Sequence, residues 1–420
     1  KDIIDGIKVT LSRLAEIQDP ESELLLLRSC LGYPKFAFLL RSVNPTIIYR
    51  QLKAFDALIM HELERIVGCP LQDSIFWRLP LQDGGNGFPS AAESAPFAFV
   101  ASIGNSWSLQ KKLSSHAVRS GYQACLDLIR PVLPDGLFSS LRATDGSPLT
   151  ASQRKLTTEL HKSTKLLWLQ SASVREKALL SARSQPYANS WLSMVPKVPM
   201  ESRNFQLLLR FYSSIPLLKC PIRCGKCCNV LDIWGDHAFL CDDTTQTVYR
   251  HNALATPLCR FLRESGFAVS NEIPVPTRDA NKRPGDVVIY RWDNEADLFV
   301  DLSVVFPLSA TFRKLPPGSA TKQMTACKLK KYKNERELAH ILPLVVDSTG
   351  GWDKSTSQFF SRLSHFHAAA RDGRSASSQS TLYNLMSYNL QTSNSKMLAA
   401  RYAFFLPCTT EISLPAPFEF

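Results

Sequence analysis

Two aspartates, Asp286 and Asp301, flank a stretch of chain that reads as a hairpin. Arg283-Pro284-Gly285-Asp286-Val287-Val288-Ile289-Tyr290 has the composition of an apolar strand entered through Pro-Gly. Leu298-Phe299-Val300-Asp301-Leu302-Ser303-Val304-Val305-Phe306 reads as a second strand, and Asp293-Asn294 between them carries turn chemistry. A hairpin centred there sets Asp286 opposite Asp301 on one face, with Cβ atoms roughly 5 Å apart. Two carboxylates forced together in apolar surroundings are costly unless positive charge lies between them. A divalent metal supplies that charge, and such a site can activate water against a phosphodiester. The alternative is a shifted register with one solvated aspartate at each end.

A second constellation is Cys224-x2-Cys227-x9-His237-x3-Cys241, four nitrogen and sulfur ligands at spacings that close a tetrahedron around zinc. The Cys-x2-Cys half is a tight turn offering two thiolates to one ion, and Gly235 permits the return turn to His237. Cys228 competes with Cys227 as ligand, and Cys220 is spare. No carboxylate is poised beside the four as a base, so the ion is expected to be structural, stabilising a segment too short for its own core. The alternative is a set of buried free cysteines. Of the eleven cysteines, five crowd between Cys220 and Cys241 while the others stand singly, the usage of a reducing compartment with one metal site rather than of a disulfide framework.

The elements that position these groups follow from periodicity. Residues 1–105 read as helical: Asn44-Pro45 is a helix start, and Ile48, Leu52, Phe55, Ile59, Leu63 and Ile66 recur at helical spacing behind it. Gly84-Gly85-Asn86-Gly87-Phe88 is a turn before a small-residue helix from Ala91. Residues 106–215 read as a second helical region, 216–243 as the zinc-binding segment, and 244–420 as an α/β segment finishing in helices. Pro257 is expected to interrupt the helix after His251. With 420 residues the chain has room for two or three domains, so the fold class expected is multidomain α+β. It begins Lys1-Asp2-Ile3 without an initiator methionine, and we expect a longer protein around it. No apolar run reaches the ~20 residues needed to span a bilayer. The net charge of +12 favours a polyanionic partner. The excess is concentrated from Thr311 to His340, where Lys328, Lys330, Lys331 and Lys333 cluster around Tyr332.

Taken in order, these residues resemble the C-terminal part of the reverse transcriptase polyprotein of non-LTR retrotransposons, the branch with a restriction-enzyme-like endonuclease. The matching pieces are Leu79-Pro80 with the glycine turn, the Cys-Cys-His-Cys site with Gly235-Asp236-His237, and Arg250-His251-Asn252-Ala253-Leu254. They continue through Arg283-Pro284-Gly285-Asp286, Asp301-Leu302-Ser303-Val304, Lys331-Tyr332, Pro343-Leu344-Val345-Val346 and Gly350-Gly351-Trp352. The resemblance covers nearly the whole chain and is specific from Cys224 to Trp352. It implies a thumb-like region, a helical linker, the zinc segment and a PD-(D/E)xK nuclease core with C-terminal helices. That core nicks target DNA so that the freed 3′ hydroxyl primes reverse transcription. The family's catalytic aspartates fall on Asp286 and Asp301, which hold magnesium or manganese, and its preceding acidic residue falls on Glu272. Ser303 stands where simple members place lysine; related nucleases move that lysine to the next helix, which points to Lys328 before Lys331. A solvated basic face gripping phosphates is the competing account of those lysines. Arg283, Lys330, Lys331, Lys333 and Tyr332 are the expected nucleic-acid contacts. The implied partners are target DNA and element RNA, and the implied location is the nucleus. The polymerase carboxylates belong to a palm that this sequence does not contain. The rival readings are a decayed, non-catalytic nucleic-acid-binding module and a stand-alone resolvase-like nuclease.

Overall fold

The computed structural model describes residues 2–72, 74–113, 115–196, 198–243, 245–271, 285–293, 296–333, 340–371 and 374–405. The chain is a mixed α+β protein of two compact units, Lys1–Glu64 with Leu71–Pro199, and Arg65–Pro70 with Met200–Phe420. Among the described residues no helix is long and apolar enough to cross a membrane.

The first unit is built of helices. The apolar repeat behind Asn44 forms the helix Pro45–Val67, whose Leu52, Phe55 and Leu63 are buried, and Asn44 Oδ1 accepts from the backbone of Thr46 at its start. The glycine turn lets Gly84 and Gly87 take positive φ ahead of the helix Ala91–Leu113. The boundary expected between residues 105 and 106 falls inside that helix, so the two helical regions read from the sequence are one unit. Hydrophobic continuity explains this: Phe97, Val100 and Ile103 share a core with Tyr122, Leu126 and Ile129.

The second unit carries both constellations. Two short strands, β1 (Ile222–Arg223) and β2 (Val230–Leu231), pair antiparallel. A four-stranded sheet follows in the order β3 (Val269–Asn271), β4 (Val287–Asp293), β5 (Ala296–Val305) and β6 (His340–Asp347). The first two pairings are antiparallel and the β5–β6 pairing is parallel. A parallel neighbour needs a crossover, and the helix Ser319–Lys331 lies within it. One face of the sheet, with Val287, Ile289, Val300, Leu302, Leu344 and Val346, joins a core with the helices Thr245–Glu264, Lys354–Ala370 and Ser375–Tyr402. On the other face, Val305 and Val345 pack with Ala320 of the 319–331 helix. Burial on both faces is why these strands read as continuous apolar runs.

The hairpin differs from expectation at its tip. Val287 pairs with Val300 and Ile289 with Leu298, but Asp293 pairs with Ala296, so Tyr290, Arg291 and Trp292 face Asp297 alone. This bulge has Arg291 at φ 51°, its N–H donating to Asp297 Oδ1. The Asp293–Ala296 pair thus departs from a hairpin centred on Asp293-Asn294. The two surplus residues of β4 cancel that displacement and return the deeper register to the expected one. The 245–264 helix also differs: it runs unbroken through Pro257. Thr256 Oγ1 donates back to the Asn252 carbonyl beside the proline, and Leu254, Leu258 and Leu262 hold the helix to the core.

A buried amide fixes that helix against its neighbour. Asn394, fully buried, accepts from Arg250 Nη1 at 3.3 Å and donates to the Ser348 carbonyl at 2.7 Å and to Gln391 Oε1 at 2.9 Å. Replacing Asn394 with leucine leaves the Arg250 guanidinium without that acceptor and the Ser348 carbonyl with fewer donors. The expected cost is ~1–3 kcal/mol in urea unfolding; a cost near zero would show that the amide has no stabilising role.

Candidate functional site

Asp286 lies one residue ahead of β4 and Asp301 in β5, one step beyond the Val287–Val300 pair. The Asp286 N–H donates to the Val300 carbonyl at 2.8 Å, and Asp286 Oδ2 accepts from the Leu302 N–H at 2.6 Å. The Asp286 carboxylate is therefore fastened to the residue that follows Asp301. The two acids are served from opposite sides. Asp301, 6% exposed, meets Lys328 of the 319–331 helix, with Nζ 3.1 Å from Oδ1 and 2.9 Å from Oδ2. Asp286 meets His251 of the 245–264 helix, with Nε2 3.3 Å from Oδ1. The site sits at a strand end where two helical layers each deliver one cationic group.

The electrostatics follow from this packing. Burial pushes the Asp301 carboxyl up; the hydrogen bond and charge of Lys328 oppose it and Asp286 adds to it, leaving the group above the ordinary aspartate value. Burial also pushes Asp286 up, but the hydrogen bond and charge of His251, the Leu302 N–H and Lys328 outweigh it and hold it below. His251 is raised, first by its hydrogen bond to Asp286 and then by the charges of both aspartates, against burial and Lys328.

Of the other expected site residues, Glu272 and Arg283 lie outside the described residues. Lys330, Lys331 and Lys333 are exposed, as phosphate contacts need to be. Tyr332 corrects the expectation. It is 3% exposed and packs on Ile341 and Phe299, because the strand that follows covers it. Its hydroxyl pairs with Lys331 Nζ at 3.1 Å, and burial with the nearby Asp301 charge pushes it up to about 12. It belongs to the wall of the carboxylate site and not to a nucleic-acid surface. His251 was missed as a site residue in its own right. The signal was available: His251 lies on one helical face with Leu254, Leu258 and Leu262, and an imidazole on an apolar face needs a polar partner.

The second constellation closes. Ligand atoms of Cys224, Cys227, His237 and Cys241 lie within 4.8 Å of one another, a group that could hold a metal ion. Cys224 Sγ is 4.0 Å from Cys241 Sγ, and Cys227 Sγ is 3.3 Å from His237 Nε2. Cys228, the alternative ligand, is exposed outside the group, as is Cys220. Burial raises the Cys224 thiol, but hydrogen bonds from the backbone of Cys227 and Lys226 and from His237 and Cys227 side chains bring it down to about 6. The return turn is built on Asp232: its Oδ1 accepts from the N–H groups of Trp234, Gly235 and Asp236, and its Oδ2 from that of His237 at 2.6 Å. Gly235 is at φ 96°, and a Cβ there would come within 3.0 Å of Leu217, Leu398 and Phe211. The far end of the 375–402 helix adds a brace. Arg401 Nε donates to Cys241 Sγ at 3.3 Å and its Nη2 to Asp243 Oδ2 at 3.0 Å, and the Tyr402 hydroxyl donates to Asp232 Oδ2 at 3.3 Å.

The imidazole contact is directly measurable. In metal-free protein the His251 ring should titrate above the ordinary 6.5, because Asp286 favours its charged form. In Asp286→Asn the neighbouring negative charge is gone and the midpoint should fall, as followed by the ring Cε1–H resonance. A midpoint that does not move would mean that the contact is absent in solution.

No protein-family model matches the chain, and no curated protein matches it.

Proposed function

We propose that this chain is the metal-dependent DNA endonuclease portion of a retrotransposon protein, nicking target DNA to prime reverse transcription. On this reading the sheet with its flanking helices is a restriction-endonuclease-like core. The observation that carries it is the constellation of Asp286, Asp301 and Lys328: two carboxylates at the end of one hairpin, with the next helix delivering a lysine to the second. Asp286 and Asp301 are the residues that would hold magnesium or manganese. Supporting this, the Asp301 carboxylate is buried, with the Lys328 ammonium 3.1 Å from Oδ1 and 2.9 Å from Oδ2. A buried carboxylate beside a second carboxylate is a donor set suited to a hard divalent cation. When bound, the cation supplies positive charge to the scissile phosphate and acidifies the attacking water.

The remaining roles belong to the chain. Lys328, released from one of the Asp301 oxygens, is placed to steady the negative charge that develops on the phosphate. His251 orients the Asp286 carboxylate together with the Leu302 N–H. Lys330, Lys331 and Lys333 grip backbone phosphates without reading sequence. DNA and element RNA are the partners and the nucleus the location that go with this reading. A non-catalytic nucleic-acid-binding module is the second reading. What favours it is that each carboxylate already has a basic neighbour in the protein itself.

Nicking of a supercoiled plasmid in magnesium, scored beside gel-shift affinity, separates the two. Asp286→Ala and Asp301→Ala should each lose nicking by at least ~100-fold while binding as well as wild type or better, since a negative charge facing phosphate has gone. A variant that still nicks near the wild-type rate would show that the pair is misassigned, and a wild type that binds without nicking supports the second reading.

We assign zinc to the Cys224, Cys227, His237 and Cys241 group, in a structural role, because three thiolates and an imidazole leave no open position. Cobalt(II) substituted for it should give the visible absorption of a tetrahedral site with three thiolates. Cys228→Ser should leave that spectrum intact and Cys227→Ser should abolish it. The converse result would exchange the two ligands.

A further inference from the structure

A groove of about 490 Å³ lies where the starts of the helices Ser202–Tyr212 and Thr245–Glu264 meet the end of Ser375–Tyr402. All of its lining belongs to the second unit. Its character differs from that of the carboxylate site. Two cations line it, Arg203 and Lys396, against one acid, Glu201, whose Oε2 is engaged by the Asn204 amide at 3.1 Å. Two aromatic rings open onto it: Phe404 is 88% exposed and Tyr249 45% exposed. Lys396 lies over the Tyr249 ring, with Nζ 4.6 Å from its centre and 2.5 Å from its hydroxyl. Arg203 is held in place by donation to the Ala403 carbonyl beside Phe404. The groove thus brings two ring faces and two cations together.

Phe404 leaves most of its ring open to water and Tyr249 about half, so both present aromatic surface to whatever enters the groove. A ligand that matches must carry its own flat faces and negative charge together. A nucleic-acid strand does so at every nucleotide, and only a single strand has its base faces free, since those of a duplex are stacked on neighbours. We propose that this groove binds a single-stranded nucleic-acid segment, with Phe404 and Tyr249 as stacking platforms for bases and Lys396 and Arg203 as phosphate contacts. The proposal does not depend on the endonuclease reading, because none of these residues takes part in the carboxylate site.

The test is anisotropy of fluorescein-labelled dT10 and U10 on the whole chain, with a duplex of equal length as control. Wild type should bind the single strands more tightly than the duplex; preference for dT10 or U10 tells which strand the groove takes. Phe404→Ala should weaken single-strand binding by roughly 5- to 100-fold, the range of one base-stacking contact, while Phe404→Tyr, which keeps the ring, should retain it. Lys396→Gln should flatten the salt dependence by about 0.7 in log–log slope, one phosphate contact. These variants leave nicking of duplex DNA to be scored separately, so loss of one activity without the other is visible. The proposal is overturned if the single strands bind no better than the duplex. It is equally overturned if Phe404→Ala and Lys396→Gln leave affinity and slope unchanged, or if Phe404→Tyr loses as much as the alanine variant.

Discussion

The cost of keeping the Asp301 carboxylate inside a sheet organises the second unit. An ionised side chain that is almost wholly buried needs compensation, and its neighbours in the strand, Val300 and Leu302, are apolar and buried. Compensation comes from a helix that the chain reaches only through the crossover between β5 and β6, so the parallel pairing and the lysine contact belong to one arrangement. The same constraint acts on Asp286 from the opposite layer, where the 245–264 helix delivers His251. That helix holds its angle through Arg250, which spends its guanidinium inside the protein, where burial lowers its pKa to about 10. A buried arginine beside a site histidine makes sense as a register device: Asn394 accepts from it only when the two helices meet at one rotation.

The Cys/His group rests on a different economy. Its segment has two residues per strand and a helix of four, too little to bury a core. Asp232 substitutes by gathering four N–H groups into one carboxylate, which shapes the chain before any ion is considered. Arg401 and Tyr402 then tie that shape to the last turn of a 28-residue helix, the arginine through the Cys241 sulfur and the tyrosine through Asp232.

Much of this was legible in the sequence where chemistry fixes spacing. The Cys/His group announces itself because few other arrangements explain such density, and only the choice between Cys227 and Cys228 needed the fold. The aspartates were legible as partners because side-chain alternation is strict. That register nevertheless emerged from two compensating differences, a displaced Asp293–Ala296 pair and a bulge, and sequence alone shows neither. Tyr332 misled because a tyrosine among exposed lysines has a helix-surface pattern, whereas its cover comes from Ile341 in a strand beyond it. Pro257 misled because local propensity counts one missing hydrogen bond and cannot count the leucines that hold the helix on either side.

The bulge at Tyr290, Arg291 and Trp292 carries an implication for how such a chain can vary. Its surplus over the facing strand is an even number, two residues, so the inward and outward alternation of β4 is the same before and after it. Length changes near the hairpin tip that preserve this parity leave the Asp286–Asp301 pairing undisturbed, while a single-residue change has to be taken up by reshaping the bulge. The bulge is therefore where this hairpin can change length while the carboxylate pair stays in register.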